Sequence, residues 1–327
     1  MRGFCILLAF AWSQCASATT KHDTRVSAET HTHAKHAATS AEGEELDPLC
    51  NYTTVAIPKR FCQSAPSCSS LTDGSTAATY LELLRRSLIG ATAPFSQVPL
   101  LQSLHYSKST SRRVGVLINS GYLRMRNLQC LLQDVRDSGV PGELVETGIW
   151  RGGAVIFMAG FVQAHSQTRR VWGFDSFMGV PSVHSGLRGP LDKNWEHNET
   201  SSLFDGLSVP QSWVQAHIDN YALGEHVRLV PGWFKDSIPP QTSALAARGG
   251  IALLRIDGDL YSSTMQALSM LYPLLNPGGW IVLDDWNVPQ ARQAVHAYRQ
   301  EMGITEPISY HSGHPMTYPV ARWRKAR

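Results

Sequence analysis

The strongest constraint on this chain is the alternation that sets in near residue 143. Short apolar runs, "ELVETG", "RVWGFDSF", "HVRLVPG", "IALLRIDGD" and "GWIVLDDWN", are separated by stretches with helical spacing, "GGAVIFMAGFVQAH", "WVQAHIDNYAL", "STMQALSMLYPLL" and "QARQAVHAYRQEMG". The runs are apolar at successive positions, so both faces of each strand must be covered. Strands joined through helices lie parallel, and the helices then bury the sheet from both sides. This predicts an α/β, Rossmann-like fold whose ligands bind beyond the carboxyl ends of the strands. "PISYH" and "YPVARWR" would close the sheet as an antiparallel pair. Ahead of the first strand, "TAATYLELLRRSLIG" and "MRNLQCLLQDVRDSG" predict two amphipathic helices, the second stopped by Gly139 and Pro141. They form an N-terminal helical extension of a folded domain spanning 76–327.

The chain has 327 residues, and its beginning is of another kind. Arg2, an apolar core from Phe4 to Trp12 and small residues at Ala16 and Ala18 make the pattern of a secretory signal peptide over 1–18. Its apolar run is too short to span a bilayer, and no later segment is long enough. No integral membrane segment is therefore expected after signal removal. The expected destination is the secretory pathway or the exterior. In a cell with complex plastids, the same signal before a Thr/Ala/Ser/His-rich stretch reads as a bipartite plastid address.

Residues 19–75 hold too few large apolar side chains for a core and read as a disordered linker. They carry Cys50, Cys62 and Cys68. Cleavage would leave these and Cys130, an even set with three connectivities that the sequence does not choose among. Asn51 and Asn198 stand in N-x-T sequons. A formal charge of +3 on this length gives no reason to expect a nucleic-acid partner. A small-molecule partner fits the crevice better, and a homo-oligomer stays open.

Two constellations sit at predicted strand ends. Glu146-Thr147-Gly148-Ile149-Trp150-Arg151-Gly152-Gly153 leaves the first strand and opens a helix. Glycines there let backbone approach a ligand, and helix N–H groups receive an anionic end. Asp175 follows at the tip of the next strand, where an acid commonly bonds ribose hydroxyls. Together they point to a nucleoside-containing cofactor, a dinucleotide or S-adenosylmethionine. The second constellation is acidic: "IDGDLYSST" with Asp257 and Asp259, then Asp284-Asp285 in "GGWIVLDDWN". Carboxylates converging at neighbouring strand ends repel one another, and a hard cation such as Mg²⁺ removes the repulsion. Helix capping, by Asp259 through Ser263 and by Asp285 ahead of Pro289, would account for one acid per helix.

"RNLQCLLQDVRDSGVPGELVETGIWRGGAVIFM", "GFDSFMGVP", "VRLVPGWFKDSIP" and "LLRIDGDLYSSTMQALSMLYPLLNPGGWIVLDDW" closely resemble the macrocin O-methyltransferase family. The resemblance implies a class I methyltransferase fold, a mostly parallel seven-stranded sheet with the last strand antiparallel. It implies S-adenosylmethionine and Mg²⁺, and methyl transfer to a hydroxyl of a sugar, glycoside or related small molecule. Carried onto this chain, Glu146 and Gly148 would line the methionine part of the cofactor. Asp175 would hold the ribose, with Ser176 nearby. Gly232, Trp233 and Phe234 would border the adenine. Asp257, Asp284 and Asp285 match the metal triad. Asp257 and His197 are the candidate general bases, with His184 competing for the latter role. Two other readings stay open: a nicotinamide-dependent dehydrogenase, which leaves the acids unexplained, and a cofactor-binding protein of the same fold without turnover.

Overall fold

The computed structural model describes residues 74–89, 116–118, 120–182, 184–192, 207–311 and 320–326. The signal-peptide pattern, Cys50, Cys62, Cys68, both sequons and His197 lie outside the described residues. Cys130 is buried and disulfide-bonded.

Two helices precede the sheet, α1 (Thr76–Leu88) and α2 (Gly121–Asp137). The Ser75 side chain caps α1 by accepting from the Ala78 N–H at 3.1 Å. Then come β1 (Glu143–Thr147), α3 (Gly153–Ala164), β2 (Val171–Asp175), α4 (Gln211–Asn220) and β3 (Val227–Pro231). Two short helices, α5 (Phe234–Ser237) and α6 (Thr242–Ala247), lead to β4 (Ile251–Ile256). The chain continues through α7 (Tyr261–Leu271), β5 (Leu275–Leu283) and α8 (Pro289–Glu301) to β6 (Ser309–His311) and β7 (Val320–Arg324).

The seven strands form one sheet in the order β3-β2-β1-β4-β5-β7-β6. Strands β1 to β5 pair in parallel, and β7 runs antiparallel to both β5 and β6. This is the class I methyltransferase arrangement that the family resemblance implies.

Alternate residues of the central strands enter opposite cores. Leu144 and Leu253 join Leu84, Leu131, Phe157 and Val214 on one face. Val145 and Leu254 join Leu268, Leu271, Tyr298 and Trp323 on the other. Each fully buried side chain of this size contributes about 1.5–3 kcal/mol, so the two faces hold the sheet rigid beneath its loops.

Chain order reverses between β1 and β4, the point where an open α/β sheet forms a crevice. The ladder continues one residue beyond each strand. Gly148 N–H donates to Phe174, Asp257 N–H to Thr147 at 2.9 Å, and Asp284 N–H to Ile256 at 3.0 Å. Register therefore sets Gly148, Asp257 and Asp284 side by side along one rim.

Candidate active site

A cavity of about 400 Å³ opens at this rim. Its two ends are built differently.

At the first end the β1–α3 loop folds back on the sheet. Gly148 has φ +80°, and a Cβ there would lie 1.6 Å from the Asp257 carbonyl oxygen. Only glycine lets the two strand ends meet so closely. Trp150 follows at φ +48°, rare for a bulky residue and typical of loops held in place by their surroundings. Asp175 supplies that hold. One carboxylate oxygen accepts the Ile149 and Trp150 N–H groups at 2.8 and 3.2 Å, and the other accepts Phe177 N–H at 2.7 Å. Burial pushes its pKa up, and these backbone bonds oppose the rise.

Ser176 lies on the cavity wall, but its hydroxyl donates to the Gly179 carbonyl and accepts from Met178 N–H, closing a turn. Trp233 and Phe234 also line the cavity. Gly232 is absent from the lining; with φ +129° it turns the chain so that its N–H reaches the Asp175 carbonyl at 2.9 Å.

At the other end the carboxyls crowd around one guanidinium. Arg255, buried in β4, bonds Glu146, Asp257 (2.9 Å) and Asp284 (2.8 Å). Arg124 of α2 takes the second Asp284 oxygen at 2.7 Å. Burial raises the Asp284 pKa, but Arg255 and Arg124 outweigh it and hold the group below the usual range. Burial pushes Glu146 up to about 8; Arg255 opposes the rise, and Asp257 and Asp284 add to it. Burial and then Asp257 and Asp284 push Asp259 up to about 7. Asp257 and Asp285 are raised by burial and by their acidic neighbours. Five carboxyls thus meet two guanidiniums.

Capping does not explain the acids. Val288, ahead of Pro289 at the start of α8, has no side-chain cap, and neither does Leu260 ahead of α7. The α7 N–H groups at Tyr261 and Ser262 bond instead to Asp192, 69 and 70 residues away. Asp259, at φ +58°, gives its own N–H to Asp285 at 2.8 Å. The capping alternative for Asp259 and Asp285 is therefore ruled out: the remote Asp192 fills the α7 position, and Asp285 braces the Asp257–Asp259 turn.

The donors suit two kinds of guest. The second Glu146 oxygen is buried without a hydrogen-bond partner among the described residues and flanks Gly148, a place for a cationic ammonium. Asp257, with 29 % of its side chain open, and Asp285 offer hard oxygens with surplus negative charge, which suits a divalent cation. Among the described residues, no three His, Cys, Asp or Glu side chains already converge as a ligand set. His184 is exposed and outside the cavity lining.

Arg124, Arg255 and Asp192 escaped the motif reading. Arg255 left a signal: a charged residue inside a strand apolar on both faces must have acidic partners. Arg124 and Asp192 left none, because their partners are far away in sequence.

Residues 114–316 match the family model for macrocin-O-methyltransferase (TylF). A tetracenomycin-C derivative 4'-O-methyltransferase of Streptomyces olivaceus, whose substrate carries a dimethoxy-rhamnosyl group, is 44% identical over 191 residues, covering 58% of this chain and 70% of that protein. Mycinamicin III 3''-O-methyltransferase of Micromonospora griseorubida is 40% identical over 190 residues, covering 58% and 72%. Among solved structures, the O-methyltransferase NovP aligns with a TM-score of 0.59 at 30% identity, over 77% of this chain and all of that one. A calicheamicin methyltransferase at 22% identity and a TM-score of 0.50 shares the fold.

Proposed function

Because the chain belongs to the macrocin-O-methyltransferase (TylF) family, we propose that it methylates a sugar hydroxyl of a glycoside, with Mg²⁺ held at the acidic end of the cavity. The relatives from Streptomyces and Micromonospora are named for sugar-position O-methylation, which supports this acceptor class. One observation carries the reading: the glycine loop and the acids share one cavity, and Gly148 packs directly on Asp257. A nicotinamide dehydrogenase would need the first end alone.

S-adenosylmethionine supplies a methyl carbon bonded to a positively charged sulfur. Glu146 and the Gly148 loop would hold its methionine end. Asp175 orients the loop and, with its carboxylate already receiving three N–H groups, would reach the ribose hydroxyls through its remaining lone pairs. Mg²⁺, held by Asp257, Asp285 and Asp284, would acidify and orient the acceptor hydroxyl.

Asp257 then takes the hydroxyl proton. A carboxylate placed beside the acceptor hydroxyl serves as its general base. With the cofactor bound, the acceptor oxygen would form the new bond to the methyl carbon as the carbon–sulfur pair returns to sulfur. Holding oxygen, carbon and sulfur in line supplies the rest of the acceleration. His197 remains the alternative base.

The test is transfer of labelled methyl from S-adenosylmethionine to aryl 6-deoxyhexosides, with and without chelator. Label in the sugar that vanishes with chelator and returns with Mg²⁺ is the expected result. Full transfer in excess chelator would remove the metal from the mechanism, and no transfer to any glycoside would remove the acceptor class.

A further inference from the structure

Asp192 ends a short 3₁₀ turn, Pro190–Asp192, and is completely buried. Its carboxylate accepts three backbone N–H groups: Tyr261 at 2.7 Å, Ser262 at 3.2 Å and Gly189 at 3.1 Å. Two of these donors are the first amides of α7, an eleven-residue helix that begins two residues after Asp259. A carboxylate at that place satisfies donors that the helix itself cannot and lies at the positive end of its dipole.

The segment ahead of Asp192 forms a wall of the cavity. Gly179, Val180, Pro181 and Leu187 line the same cavity as Asp257, Asp259, Asp284 and Asp285. The wall is braced within itself: Arg188 Nε donates to the Pro181 carbonyl at 2.6 Å, and Ser185 Oγ to the Ser182 carbonyl at 2.6 Å. At its start it is fixed by the Ser176 turn beside Asp175. At its end it hangs on Asp192. The same carboxylate thus fastens this wall of the cavity to the first turn after Asp257-Gly258-Asp259.

We infer that Asp192 is a positioning residue that sets the distance between this wall and the acids, and so governs how the acceptor is held rather than how the cofactor binds. The inference rests on the methyl-transfer reading for its kinetic consequence. The cofactor end does not depend on it, because the Gly148 loop is held by Asp175 from the opposite side of the sheet's switch point. Breaking the tether lets the wall move away from the acids while α3 and its loop stay in place.

The experiment compares the full chain with Asp192→Ala and Asp192→Asn. Asn keeps one acceptor oxygen and is the milder variant should Ala fold poorly. With an aryl 6-deoxyhexoside acceptor, Ala should raise the acceptor KM about tenfold or more and Asn about threefold, with kcat changed less. S-adenosylmethionine Kd by calorimetry should stay within about twofold. Amide hydrogen exchange with bound S-adenosylhomocysteine should quicken at residues 184–192 and at Tyr261–Ser262, and stay unchanged at Ile149–Trp150. Cofactor Kd and acceptor KM rising together would reduce Asp192 to general support and overturn the inference. An unchanged acceptor KM in both folded variants would do the same. If the wild type binds S-adenosylmethionine but methylates no glycoside, the function reading fails while the exchange pattern still decides the tether: faster exchange confined to the wall and α7 upholds it, and uniform or unchanged exchange overturns it.

Discussion

Asp175 and Asp257 stand at the tips of β2 and β4, one strand apart on either side of β1, and both are acids packed into the protein. Asp175 is met by three backbone N–H groups from its own loop and the neighbouring one. Asp257 shares one guanidinium with Glu146 and Asp284, and it faces Asp259 and Asp285 across the turn. A partly buried carboxylate answered by fixed amides is complete, and the fold gains from its charge. A partly buried carboxylate among other carboxylates is incomplete, and its charge is a cost that a cation would relieve. The same residue type is therefore answered by backbone amides at one end of the cavity and left with unbalanced charge at the other.

The comparison can be broken in several places. The largest effect belongs to the reacting end: Asp257→Asn should lower kcat by roughly 10²- to 10⁴-fold, the range for losing a positioned base. It should leave S-adenosylmethionine affinity nearly unchanged by calorimetry. Normal turnover in this variant would make the acids of β4 and β5 scaffolding like Asp175. Gly148→Ala strikes the join between the ends. Its Cβ would overlap the Asp257 carbonyl, so denaturant unfolding should show a loss of about 3 kcal/mol or more.

Asp175→Ala removes the acceptor for three amides and should cost roughly 1.5–3 kcal/mol. The loss should be seen both in unfolding and in cofactor binding. Asp285→Asn tests the opposite sign. Without added metal it should stabilise the fold by up to about 1 kcal/mol, because a repelling group goes while an acceptor for Asp259 N–H remains. A loss as large as that of Asp175→Ala would erase the distinction between the ends.

The most diagnostic effect is that of pH. The folded Glu146 pKa lies at about 8, above its ordinary 4.5. The folded state therefore binds the proton more tightly than the unfolded chain. That contribution is fully present below about 4.5 and is lost as pH rises through about 8. The melting temperature of metal-free protein should fall across this window, and Glu146→Gln should flatten the slope. A wild-type melting temperature that climbs with pH there would mean that Arg255 already neutralises Glu146.

Much of this protein was legible in its sequence because strands and helices declare themselves through local periodicity. The parallel core, the antiparallel closing pair and the placing of Gly148, Asp175, Asp257, Asp284 and Asp285 at strand ends all follow from runs of fewer than a dozen residues. Helices α5 and α6 were not, since each is too short to show a period.

The partners of the charged groups were decided only by the tertiary structure. A carboxylate's role depends on which donors lie within about 3 Å of it, and those donors come from distant parts of the chain. Asp192 caps a helix 69 residues later, Arg124 reaches Asp284 across 160 positions, and Arg255 bonds Glu146 from 109 positions away. The sequence by itself determined where the acids stand along the strands. Packing alone decided which of them would be satisfied by the protein and which would be left with charge to offer a ligand.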